Sequence, residues 1–132
     1  MKYFTIRELT RSDTARWLGI DNTPPPSAVK ALHDLVDHVL DPLREAWGGP
    51  IRVNSGYRCP ELNKAVGGTP SSQHQRGEAA DITVGSSSRN RRLLALIKEL
   101  KLPYDQLIDE KGCRWIHVSH RAGHNRRMFM KF

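Results

Sequence analysis

The chain has 132 residues and a formal net charge of +7, with 38% hydrophobic and 27% charged residues. That length makes one domain over residues 1–132, and the composition excludes wholesale disorder, while no apolar run approaches the ~20 residues that cross a bilayer. The charge excess lies in residues 89–132, where eleven basic residues face four acidic ones; it is dispersed and carries no aromatic platform, which argues against nucleic acid and leaves an anionic polymer as the natural attractor.

In chain order, a helix is expected over residues 7–18, with Leu9, Ala15 and Leu18 apolar. Asp21 to Pro26 reads as a loop. A longer helix runs from Ser27 to Trp47 on the spacing of Val29, Leu32, Val36, Val39, Leu40 and Leu43, with a kink at Pro42 and a stop at Gly48-Gly49. Residues 51–54 alternate as a strand, 55–58 turn, and Pro60 opens a short helix to Val66. Residues 79–84 form a buried strand. Ser88 caps a helix with the stripe Leu93, Leu94, Ile97 and Leu100. Strands over 105–110 and 115–119 flank a turn at Gly112-Cys113, and 128–132 gives a short final strand. Helices first, then strands interrupted by one helix, indicate an α+β fold with a small antiparallel sheet flanked by helices. Met1 to Glu8 turns charged at once, so no signal peptide is expected and synthesis is expected in the cytoplasm. Cys59 and Cys113 lack CxxC spacing and read as reduced thiols.

The chemistry concentrates in Ser72-Gln73-His74-Gln75-Arg76-Gly77-Glu78-Ala79-Ala80-Asp81, which sets a histidine in a loop and an aspartate on the next strand. His117, on a later strand, is a third candidate. Two imidazoles and one carboxylate suit zinc, which takes nitrogen and oxygen ligands and leaves a fourth position open for water. The same residue types are also common as ordinary surface groups. His33 and His38 sit four residues from Asp37 and Asp34 and read as a solvated helix face. His120 and His124 read as loop surface.

The pattern Ser72-x-His74-x-x-Gly77-x-Ala79-x-Asp81, followed by Trp115-Ile116-His117, resembles the peptidase M15 family of zinc D-Ala-D-Ala carboxypeptidases and phage peptidoglycan endopeptidases. The likeness extends to Ile51 to Arg58 and to the segment Phe4 to Pro26. It implies the hedgehog/DD-peptidase-like fold with a Zn2+ site on the sheet, held by His74, Asp81 and His117. It further implies that Arg58 serves as a catalytic and substrate-binding residue, with Ser72 as a substrate hydrogen-bonding group. The implied activity is hydrolysis of a peptide bond in the cell-wall stem peptide by a carboxypeptidase or endopeptidase. A monomer is expected, drawn to the anionic wall by its charge and acting there after release, in the manner of a prophage lysis enzyme or endolysin. The alternative is a non-catalytic, zinc-stabilised binding module of the same fold.

One departure keeps that alternative in view. Family members place a glutamate three residues before the last ligand, or a histidine two before it; here Arg114 and Trp115 stand there, and neither is a base. A hairpin pairing Ile108 with His117 would put Glu110 on the face of His117, which makes Glu110 the candidate base. A slip of one residue would present Asp109 instead, and Asp105 and His120 are further alternatives.

Overall fold

The computed structural model describes residues 1–132. Thr5 and Ser12 divide the first expected helix in two. Each hydroxyl accepts a hydrogen bond from the backbone N–H three residues on, at Glu8 and Ala15, so the segment forms α1 (Ile6–Thr10) and α2 (Asp13–Leu18) rather than one helix over 7–18.

The long helix is a rod in three pieces: α3 (Pro26–Leu35), a π-helical turn (Val36–Leu40) and α4 (Asp41–Trp47). Pro42 has no N–H to offer the His38 carbonyl, and its ring would crowd that oxygen. The widened turn removes the conflict, and the Asp41 N–H donates to the Val36 carbonyl. The expected kink is therefore absorbed one turn earlier as a π turn. The Asp41 carboxylate accepts from the backbone N–H groups of Lys2 and Tyr3 at 2.6 and 3.0 Å, tying the amino-terminal segment to the rod. Pro60 starts α5 (Pro60–Ala65). Ser86 rather than Ser88 caps α6 (Ser87–Glu99), accepting from the Arg89 N–H at 3.2 Å.

The five strands are β1 (Arg52–Ser55), β2 (Ala79–Thr83), β3 (Gln106–Glu110), β4 (Trp115–Ser119) and β5 (Met128–Lys131), in the order β1-β2-β4-β3-β5. The first four pair antiparallel, but β5 lies parallel to β3. Residues 120–127 reverse the chain after β4 and carry it past that strand to the free edge of β3, so β5 takes the direction of β3. The expected antiparallel sheet thus gains a parallel edge strand.

Alternation gives the sheet two faces. Val53, Ala80, Ile82, Leu107, Ile116 and Val118 pack with the rod (Leu32, Leu35, Val36, Val39, Leu40, Leu43) and with Leu93, Leu94 and Ile97 of α6 to form the core. The other face carries Arg52, Asp81, His117, Ile108 and Glu110 and floors an open cleft of about 1030 Å³. No helix is long and apolar enough to cross a membrane.

Candidate metal centre

His74 lies on a short 3₁₀ turn (Gln73–Arg76) between α5 and β2. The Ser72 hydroxyl caps that turn, accepting from the His74 N–H at 3.3 Å, and Gly77 leaves it at φ 74°. The side chain at Gly77 could only be hydrogen, because a Cβ there would overlap the Ala28 carbonyl of α3. The His74 carbonyl accepts from the Arg58 N–H at 3.0 Å, which joins the histidine loop to the turn after β1.

The His74 ring is buried, and its Nδ1 stands 2.7 Å from the Gly56 carbonyl. A carbonyl only accepts, so Nδ1 carries the proton and Nε2 presents a lone pair. That lone pair faces Asp81 Oδ1 at 3.3 Å, and His117 Nδ1 lies 3.2 Å from the same oxygen. The ligand atoms of the three residues all lie within 4.8 Å of one another. Asp81 and His117 are brought together by strand register, being direct partners across β2 and β4.

This cluster fits a cation at its centre. A bare imidazole nitrogen facing a carboxylate oxygen is repulsive unless positive charge sits between them. Burial alone would push the Asp81 carboxyl up; with no cation present, protons taken up by the two imidazoles outweigh it and hold it below the ordinary carboxylate range. His117 Nε2 is buried without a partner; with Nδ1 turned to the cluster, Nε2 is the nitrogen left to carry the proton. Two nitrogens and one carboxylate are a donor set that Zn2+ takes, with room for a fourth ligand from the cleft.

Arg58 lines the same cleft, and its guanidinium is half-buried and makes no ion pair, while Nε is buried without a partner. Its burial lowers its pKa, and the Asp81 charge partly restores it. The structural pairing with an acid that could have accounted for Arg58 is absent. Ser72 reaches the cleft while capping the turn.

The β3–β4 hairpin pairs Ile108 with His117 and Glu110 with Trp115. The connecting turn spans Lys111 to Arg114, longer than the expected two residues, yet the register is the expected one because the extra residues, Lys111 and Arg114, fall one on each side of the same Gly112–Cys113 centre. Glu110 and Trp115 therefore face the cleft beside His117. Asp109 points to the opposite face, where burial and then the Asp109 charge push the Cys113 thiol up. Asp105 is fully buried and accepts from Arg126 N, Nε and Nη2 (each 2.9 Å) and from Gln73 Nε2 (2.8 Å), so its oxygens are engaged away from the cluster. His120 is buried too, stacked on His38 at 5.1 Å with Nδ1 on the Pro103 carbonyl, which corrects its reading as loop surface.

Three supports were not visible in the sequence. The Gly56 carbonyl sets the His74 tautomer. Asn22 donates to the carbonyls of Thr10 and Tyr57 and accepts from the Cys59 N–H, clamping the turn that carries Arg58. The Gln73–Asp105–Arg126 group fastens the histidine loop to β3. A loop asparagine and a strand-end aspartate carry no sign of such partners.

The comparisons agree with this geometry. A family model described as Peptidase M15 matches residues 2–119. Over 84 residues the chain is 37% identical to the zinc D-Ala-D-Ala carboxypeptidase of Streptomyces albus G, covering 63% of this chain and 32% of that protein. The chain spans about a third of the length of that relative.

Proposed function

The chain belongs to the peptidase M15 family, and on that premise we propose that it is a zinc-dependent peptidase that hydrolyses a peptide bond in the stem peptide of peptidoglycan. The observation that carries this reading is the convergence, in one cleft, of the His74–Asp81–His117 donor set, an unpaired Arg58 and Glu110 on the face of His117. His74 Nε2, Asp81 Oδ1 and His117 Nδ1 would hold the ion. When bound, Zn2+ supplies Lewis-acid chemistry, polarising a carbonyl and acidifying water.

The chain's own groups do the rest. Arg58 offers planar donors to the substrate carbonyl or a terminal carboxylate. The Ser72 hydroxyl hydrogen-bonds the peptide at the cleft wall. Glu110 accepts the proton of the attacking water and returns it to the leaving amine. Glu110 sits diagonally from His117 across adjacent strands, a separation that a glutamate side chain spans. Action on the wall after release, as a monomer and in a lysis role, belongs to the same reading, and the +7 charge favours approach to an anionic wall. The zinc-stabilised binding module draws its support from Arg114 and Trp115, which stand where the family's bases stand.

The test is digestion of purified sacculi by the zinc-loaded protein, with and without chelator, and identification of the products by mass. Release of single D-alanine marks a carboxypeptidase, and release of cross-linked fragments marks an endopeptidase. Release of neither D-alanine nor fragments under both conditions refutes the peptidase reading and leaves the binding module.

A further inference from the structure

The cleft floor differs on its two sides. Toward β1 it is polar and cationic, with Arg52, Asn54 and Arg58. Toward β5 it carries an apolar row, bordered by Gln106, Glu110 and Arg126. Ile108 is the direct partner of His117 on one side and of Met130 on the other, so His117, Ile108 and Met130 form one row across β4, β3 and β5. Phe132 extends the patch. Its N–H donates to the Asp109 carbonyl and its own carbonyl accepts from the Lys111 N–H, both at 2.8 Å, which pins its backbone beside Glu110. Alternation from Met130 then puts the Phe132 ring on the cleft side, where it is 69% exposed. Phe129, of opposite parity, packs on the core instead.

An exposed aromatic ring on a backbone fixed at both polar groups, continuous with the His74–Asp81–His117 cluster, is a prepared apolar surface. Met130 and Phe132 lie beyond the residues that the family model matches. We infer that Ile108, Met130 and Phe132 form a subsite for an aliphatic side chain of the substrate peptide, on the Glu110 side of the scissile bond. Strands lie about 4.8 Å apart, so Met130 stands roughly 10 Å from His117, a distance that two to three residues of extended peptide span. The inference rests on the peptidase reading for its occupant, which is a peptide lying across the strands. A glutamate side chain is disfavoured there, because the apolar row offers no partner to replace its water and Glu110 stands beside it.

The chain has three methionines, and Met1 lies away from the cleft with its amino group on Asp37. Protein labelled with ¹³C at the methionine methyls therefore contains its own reference. The probes are acetylated tetraglycine and the same peptide with one leucine, or one glutamate, placed at each position in turn. They are titrated into chelated protein, where no turnover occurs. The expected result is a shift of the Met130 methyl with at least one leucine peptide, about tenfold tighter than with tetraglycine, while Met1 stays fixed. Met130→Lys, on an edge strand outside the core, removes that methyl and is read by calorimetric titration of the same peptides; it should reverse the preference in favour of the glutamate peptide. A Met130 methyl that is silent, or that responds equally to all three peptides, overturns the subsite, as does an unchanged preference in Met130→Lys with native circular dichroism. The peptidase reading is decided separately by the sacculi: a Met130 response with no product released from sacculi keeps the apolar site and removes the hydrolase, and product release with a silent Met130 does the reverse.

Discussion

Gly77 fixes where the His74 loop meets α3, and replacing it by alanine tests that arrangement against a matched control. Gly77 and Gly67 occupy the same backbone region, at φ 74° and 78°. An alanine in that region costs about 1–2 kcal/mol at either position. The surroundings differ. A methyl at Gly67 meets nothing within 4 Å, whereas at Gly77 it overlaps the Ala28 carbonyl oxygen and stands 3.1 Å from its carbon. Those are backbone atoms on the buried face of α3 and cannot swing aside, so either α3 or the histidine loop must move. Overpacking of this kind adds about 1–3 kcal/mol. Gly77→Ala should therefore lose about 2–5 kcal/mol and Gly67→Ala about 1–2 kcal/mol, read as urea midpoints at constant m-value. If the loop gives way rather than the helix, His74 leaves its place beside Asp81, and zinc affinity falls in Gly77→Ala while Gly67→Ala keeps it. Equal stability losses in the two variants, with equal zinc affinity, would refute the claim that the Ala28 contact positions the loop.

Other expectations follow from the same geometry. His117→Ala should bind less than one zinc per chain by elemental analysis under conditions that saturate the parent; parental zinc content would remove His117 from the ligand set. Glu110→Gln should keep zinc and lose about 10²–10⁴-fold in kcat, while Asp109→Asn, on the opposite face, should keep kcat; the reverse pattern would put the hairpin one residue out of register. Asp105, held down to about 2 by the Arg126 hydrogen bonds, adds stability that is full above its ordinary value of 3.8 and disappears as pH falls toward 2. Asp105→Asn should thus cost about 2–3 kcal/mol near neutral pH, and the difference from the parent should shrink as acid unfolding is followed from pH ~5 to pH ~2; a gap independent of pH would show that the carboxylate charge is not what holds Gln73 and Arg126 together.

Residues that act through local pattern were legible in the sequence. The rod follows from the spacing of Leu32, Val36, Val39 and Leu43, because burial on one face of a helix repeats every three to four residues. The hairpin register, and with it the placement of Glu110 rather than Asp109 beside His117, follows from strand alternation once the turn is centred between Gly112 and Cys113. The donor set His74, Asp81 and His117 was readable from residue chemistry together with a family resemblance, because metal ligands have few chemical substitutes. What the sequence left open depends on partners distant in the chain. Whether Asp105 is a base or a buried lock is decided by Arg126 and Gln73, and nothing in the local sequence brings them together. The tautomer of His74 is set by the carbonyl of Gly56, a backbone atom that every residue possesses. The Pro42 kink became a π turn because the rod had to keep both halves of its apolar face on one core. The parallel pairing of β5 arises because the loop after β4 crosses to the free edge of β3, and that pairing alone brings Met130 and Phe132 beside the site. Local periodicity fixes which side chains share a face; only the packed chain decides which faces meet.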